Sequence, residues 1–290
     1  MRQSVTAALL ASQNMEGLSQ GRPSNPVHRR IRAYLRPRAT LSTRERMTIS
    51  TFGILLFFST WLIVTEADLI QPFFLPSPIA VGKRLFEMVA FEGYLFGVWS
   101  SAYRVFGGFL LAATVAIPVG ILIGNFPFFR SLIEPLLSTA RYLPATAFVP
   151  LMIIWLGINE SQKIAVIFIG TFFPLALIIA SISEGVSSDL MNSAYSLGAS
   201  SRQVFFKVLL PACVPSIVDS LRITAGIAWT YVIVAELVGA DSGMGIAILQ
   251  AQRFLLTDQV IAGIAAVGIL GVLTDLVFRF AHRKLFPYLY

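Results

Sequence analysis

The sequence predicts an all-α polytopic membrane protein with six transmembrane helices, and three observations carry that prediction. Of 290 residues, 56% are hydrophobic and 13% are charged, about half the ~25% charged content of soluble domains. The apolar excess is spread along the chain, with 23 Phe, 7 Met and a mean hydropathy of +0.75, which excludes disorder, a coiled coil and a collagen-like repeat. Several stretches between successive charges reach the ~20 residues needed to cross a hydrocarbon core about 30 Å thick. The single cysteine, Cys213, can form neither an internal disulfide nor a cysteine metal cluster.

Residues 1–46 read as a basic arm on the cytoplasmic side and 47–290 as the transmembrane domain. The apolar run Val5 to Ala11 is too short to span and is followed by polar residues without a cleavage signature, so it is not read as a signal peptide. Pro23, Pro26 and Pro37 interrupt helix in the Arg-rich part of the arm, which suits the surface of an anionic leaflet. The first span, about 47–65, lies between Arg46 and Glu66. An outer segment from Glu66 to Ser101 follows, with Leu75-Pro76-Ser77-Pro78 leading into a short amphipathic helix around Val81 to Phe86. The second span, about 105–129, is bounded by Arg104 and Arg130. The third, about 131–158, carries Pro144 and Pro150 and is expected to be kinked or partly unwound. The fourth is about 164–183, the fifth about 214–237 and the sixth about 260–280; the last two contain charges near their ends.

Basic residues fix the orientation. With the N-terminus inside, 16 of the 22 Lys and Arg flank the cytoplasmic ends, 4 flank the outer ends, and Arg104 and Arg222 stand in helix starts. Short positive loops stay cytoplasmic, so both termini are placed inside. The net charge of +7 is then a topology signal, and no nucleic-acid partner is expected.

The cytoplasmic segment at about 186–211 is longer than the usual 2 to 8 residues of a helix connection. Ser187 or Ser188 can cap a helix, Asp189 suits its positive end, and Leu190, Ala194 and Leu197 share one face. Gly198 is placed to stop that helix and Ser200 to start another, with Val204, Phe205, Val208 and Leu209 as its apolar stripe and Pro211 as its expected end. Two short helices at the cytoplasmic face make a surface for a partner.

Asn192-Ser193-Ala194, Gly198 and Leu210-Pro211 resemble the Glu-Ala-Ala, Gly, Leu-Pro loop of the permease subunits of binding-protein-dependent ABC importers, the MetI-like type. Leu75-Pro76-Ser77-Pro78, Tyr103-Arg104-Val105-Phe106-Gly107-Gly108-Phe109, Pro150-Leu151 through Trp155-Leu156-Gly157-Ile158, Val234-Ala235-Glu236-Leu237 and Arg283-Lys284-Leu285-Phe286-Pro287 are similar to the nitrate, sulfonate, taurine and bicarbonate branch. The resemblance covers about residues 48–290 and leaves the arm outside. Asn192 and Ser193 replace the first two residues of the loop signature, so no contact through the usual Glu is implied.

The resemblance implies a path for a small anion, driven by alternating access. The first loop helix would dock in a cleft of a cytoplasmic ATP-binding subunit, through Asn192, Ser193, Ala194, Leu197, Gly198, Ala199, Ser200 and Pro211. A periplasmic or extracellular solute-binding protein would deliver the solute, and a second permease copy, giving a homodimer, would complete the path in the bilayer of a bacterial inner membrane. The chain has no Gly-x-x-x-x-Gly-Lys-Ser/Thr loop, so it is not expected to be an enzyme or to bind a cofactor; ATP and Mg are used by the partner. No catalytic or metal-ligating set is read, His28 and His282 being far apart in sequence.

Charges in apolar spans are candidates for function. Arg104 has the sign for an anion and could equally snorkel to headgroups. Glu236 would repel an anion and reads as a structural or gating contact, while Asp219 and Arg222 read as an ion pair at i,i+3. Arg104, Arg222 and Glu236 are therefore the pathway candidates. Gly120 and Gly124 read as a close-packing pair, and Gly239, Gly243 and Gly245 as an outer turn. Two other readings stay open: a secondary transporter driven by an ion gradient, which would need inverted repeats and buried ion ligands, and a membrane anchor that recruits a cytoplasmic complex.

Overall fold

The structure is a computed structural model that describes residues 41–289. The arm as far as residue 40, including Val5 to Ala11 and His28, lies outside the described residues. The chain divides into two compact units at Trp61 and Leu62.

Among the described residues the first unit holds most of helix α1, Thr43–Glu66. Ser42 and Glu45 build its capping box: Glu45 N donates to Ser42 Oγ at 3.3 Å and Ser42 N donates to Glu45 Oε2 at 3.0 Å. Its apolar side chains, Phe52, Leu55 and Phe57 among them, are exposed. A helix exposed and apolar all round is matched to lipid rather than to water.

In the second unit α2 (Pro78–Phe91) begins at Ser77, whose hydroxyl accepts from Ala80 N, with Pro78 in its first turn. Arg84 of α2 hydrogen-bonds Glu92 at 2.5 and 3.0 Å and Gln259 at 3.0 Å. The hydrogen bond to Glu92 is the main cause that raises the Arg84 pKa above its ordinary value. Helix α3 is Tyr94–Asn125, α4 is Pro127–Ala140, and a 3-10 turn at Ala145–Phe148 leads into α5, Val149–Leu156. Then come α6 (Glu160–Glu184), α7 (Ser188–Ser196), α8 (Ser201–Glu236), α9 (Met244–Arg253) and α10 (Thr257–Leu285). Among the described residues five helices are long and apolar enough to cross a membrane, or six if α4 and the Ala145–Leu156 segment, bent by 89°, are one span. No strand occurs among them.

The parallel pair α3 and α6 is the centre of this unit, with Gly108 beside Ile167 and Gly124 beside Ser183. Glycine lets the two backbones approach: a Cβ on Gly108 would lie 2.8 Å from Ile164 O, and one on Gly120 would lie 2.6 Å from Ala176 O. Gly124 meets Ser183 and Ala180 in the same way. Ala113, Ala116, Leu175 and Ile179 fill the space between, joined by Cys213 and Ile217 of α8. On another face of α6, Gly170 accepts the Tyr231 ring of α8, and Trp229 Nε1 donates to Thr274 Oγ1 of α10 at 3.0 Å.

Three elements differ from expectation. Helix α3 starts at Tyr94, inside the segment expected to be an outer loop, because Arg104 is neutralised within the protein and does not have to end the span. Pro211 does not end the second loop helix. That helix runs on to Glu236 through a π turn at Phe205–Leu209, in which Leu210 N donates to Phe205 O. The wider turn moves the backbone bonds to i+5, accommodating a proline that offers no N–H and would crowd the carbonyl four residues back. The third feature is the bend between α4 and α5, sharper than a kink: Pro144 is extended, with ψ 123°, so helix cannot continue through it.

Candidate functional site

In the loop between α6 and α8, α7 projects from the bundle and meets its core through the partly buried Met191. Ser187 caps it by accepting from Asp189 N at 3.2 Å, and none of its residues is buried. At its C-terminus Gly198 adopts φ +84°, a left-handed conformation that a Cβ disfavours. Gly198 N then donates to Tyr195 O at 2.9 Å and Ala199 N to Ala194 O at 3.1 Å, the paired bonds of a Schellman motif. Ser200 and Gln203 open α8 with a reciprocal capping box. Leu197 is left 89% exposed. Asn192, Ser193, Ala194, Leu197, Gly198, Ala199 and Ser200 thus lie together on one projecting helix and turn, whereas Pro211 is already inside α8.

At the opposite end of α3 and α6 a group of charges meets, with Arg104, Lys163 and Glu236 buried and Glu160 half exposed. Arg104 of α3 makes a bidentate pair with Glu160 of α6, Nε to Oε2 at 2.6 Å and Nη2 to Oε1 at 2.7 Å. Its Nη1 donates to Glu236 Oε1 at 2.7 Å and to Ser242 O at 2.6 Å. Glu236, wholly buried at the end of α8, also accepts from Ser101 Oγ at 2.7 Å and from Gly245 N at 2.7 Å. The carboxylate therefore sits at the positive end of α9. Gly243 (φ +136°) has no room for a Cβ against this carboxyl group, and a Cβ on Gly245 would lie 2.9 Å from Glu236 Cβ. Lys163 Nζ lies 3.5 Å from Glu160 Oε1, so two cations and two carboxylates balance. That balance and the hydrogen bonds to Ser101, Ser242 and Gly245 offset the cost of burying Arg104, Lys163 and Glu236.

A second set of charges joins α8 to α10. Arg222 lies 3.4 Å from Asp219 on its own helix and 3.1 Å from Asp275 Oδ1. Asp275 Oδ2 accepts from Arg279 Nε at 2.6 Å, and His282 Nε2 lies 3.8 Å from Asp219 Oδ2. The pair expected within one helix is thus part of a contact between two.

The sequence from residue 116 to 287 matches the family model described as binding-protein-dependent transport system inner membrane component. The chain belongs to that family. The permease is 36% identical over 259 residues to the taurine transport system permease protein of Escherichia coli K12, an alignment covering 88% of this chain and 94% of the relative. It is 35% identical to the putative aliphatic sulfonates transport permease protein of Bacillus subtilis, covering 80% and 86% of the two chains. Among solved structures, the methionine ABC transporter MetNI in inward-facing conformations includes a chain of similar fold, with a TM-score of 0.59 at 20% identity over 66% of the permease and 94% of that chain.

Sequence reasoning found Arg104 and Glu236 of the buried group but left them apart and missed Glu160. The two are 132 residues apart, and no local spacing links them. The one legible signal is the i,i+3 spacing of Ser101 and Arg104, which puts both on the same helix face. Asp275 was visible as a charge near the end of the last span, yet nothing in the sequence pairs it with Arg222.

Proposed function

We propose that the permease builds the membrane path of an ABC importer for a small anion and couples that path to cytoplasmic ATP-binding subunits through α7. The exposed, separately capped α7 carries this reading. A nine-residue helix with no buried side chain contributes little to the bundle's own core, and its shape suits insertion into a cleft of a partner. Membership of the family supports ATP-binding subunits and a solute-binding protein as partners; in this reading the former use ATP and Mg, and the latter acts on the other side of the membrane. Taurine and aliphatic sulfonates, named for two relatives, carry a sulfonate anion, and nitrate and bicarbonate share its charge and small size. The excess of basic residues in the flanks supports a topology with both termini and α7 on the cytoplasmic side of a bacterial inner membrane. One bundle of this size leaves the path half built, so a second copy of the chain completes it. Arg104, Glu236 and Arg222 stand in its wall as positioning groups, because each already holds a partner inside the protein.

Deleting 190–203 tests the assignment of α7. The expected outcome is loss of ATPase co-purification and of uptake, with the shortened chain still present in the membrane. Retained ATPase binding in the deleted chain contradicts the assignment.

A further inference from the structure

At the α7 end of the bundle one guanidinium joins three helix ends. Arg130 stands in the first turns of α4 and reaches back to α3, where its Nε donates to Ile123 O at 3.3 Å and its Nη2 to Gly124 O at 3.2 Å. These carbonyls belong to the last turn of α3, which has no intrahelical partners for them. The same Nη2 lies 2.8 Å from Glu184 Oε2, on the last residue of α6. Helix α7 begins after only Gly185, Val186 and Ser187.

Between this junction and α7 lies a cavity of about 440 Å³, lined by Asn125, Arg130 and Glu184 from the bundle and by Met191, Tyr195 and Phe205 from the loop and α8. A displacement of α7 reaches the bundle through three contacts: Met191, partly buried against the core of α3 and α6, the short link into Glu184, and the start of α8, where the Phe205 ring meets Phe126 at 5.8 Å between centroids. Beyond the junction α3 and α6 pack closely at Gly108, Gly120 and Gly124 and are joined again at the far end by Arg104 and Glu160.

We propose that Arg130 is a positioning residue of energy coupling: with Glu184 it forms a strut that passes the displacement of α7 to the α3 and α6 pair. The proposal rests on the importer reading above. The Arg130 and Glu184 side chains are 38% and 58% exposed, and ion pairs so open to solvent add little to stability. Losing the strut should therefore spare the fold and affect transmission.

The test uses the complete complex with its ATP-binding subunits, carrying a bimane fluorophore on Trp99→Cys. Trp99 is exposed at the far end of α3, and the native Cys213 is buried and does not compete for the label. ATP with vanadate is expected to shift the bimane emission in the otherwise unmodified complex. Glu184→Ala and Glu184→Gln should each reduce that shift at least five-fold while leaving the ATPase bound, the melting temperature unchanged and basal ATP hydrolysis intact. Glu134→Ala removes a carboxylate 3.7 Å from Arg130 on its own helix and should leave the shift whole. A full shift in both Glu184 variants, no shift in the unmodified complex, or an equal loss in Glu134→Ala overturns the strut. A chain that binds no ATP-binding subunit at all overturns the importer reading instead.

Discussion

Arg104 shows how far a single residue can be read before its partners are known. Its sign and its place in an apolar stretch make it an anion candidate, but the side chain is 3% exposed and holds two carboxylates and a carbonyl. Removing one partner of a buried pair typically costs about 3–5 kcal/mol, much of it from the charge left behind. Arg104→Met is therefore expected to lower the melting temperature in detergent markedly. The double variant Arg104→Met with Glu236→Gln should melt higher than the single one, because the neutral amide leaves no uncompensated charge at that position and its oxygen can still accept from Ser101 or Gly245. Equal melting of the two would show that Arg104 does not stabilise Glu236. Glu160 escaped sequence reasoning for a physical reason: it lies just outside the apolar run that begins at Ile164, and its value comes from a helix 56 residues away.

At the scale of elements, what local chemistry specifies was legible and what tertiary contact specifies was not. Ser187 or Ser188, Gly198 and Ser200 predict the two ends of α7 and the start of α8 because caps act within four residues, and in the structure Ser187, Gly198 and Ser200 take those roles. The close approach at Gly120 and Gly124 was also legible, since small residues four apart leave a groove on one helix face. The continuation of α8 past Pro211 was not, because it depends on the π turn and on Leu209 and Cys213 being buried against α3 and α6. A consequence can be measured at α7. Gly198→Ala puts a Cβ on a residue at φ +84°, which costs about 1 kcal/mol or more, and is expected to weaken ATPase capture by five-fold or more in a binding titration. Gly226→Ala adds a Cβ that meets nothing within 4 Å in an ordinary helix and should leave capture unchanged. Equal affinity of the two variants would show that the Schellman turn does not position α7.

At the scale of the whole molecule, the composition and the charge-free stretches predict an all-helical membrane fold, and the five helices with one bent pair agree with it. Charge-bounded segments mark where the apolar runs lie but shorten the helices, since α3, α6 and α8 continue through charges that the protein itself neutralises. The division of labour is visible in the same frame. One end of the α3 and α6 pair is tied by Arg104, the other by Arg130, and the projecting helix α7 hangs from the second. The most direct measurement of the importer reading is solute uptake into proteoliposomes holding the permease, its ATP-binding subunits and its solute-binding protein, with labelled taurine, an alkanesulfonate, nitrate and bicarbonate as probes. The expected result is uptake of one of these anions only when ATP and all the partners are present. Uptake by this chain alone, without ATP and driven by an imposed ion gradient, would contradict it.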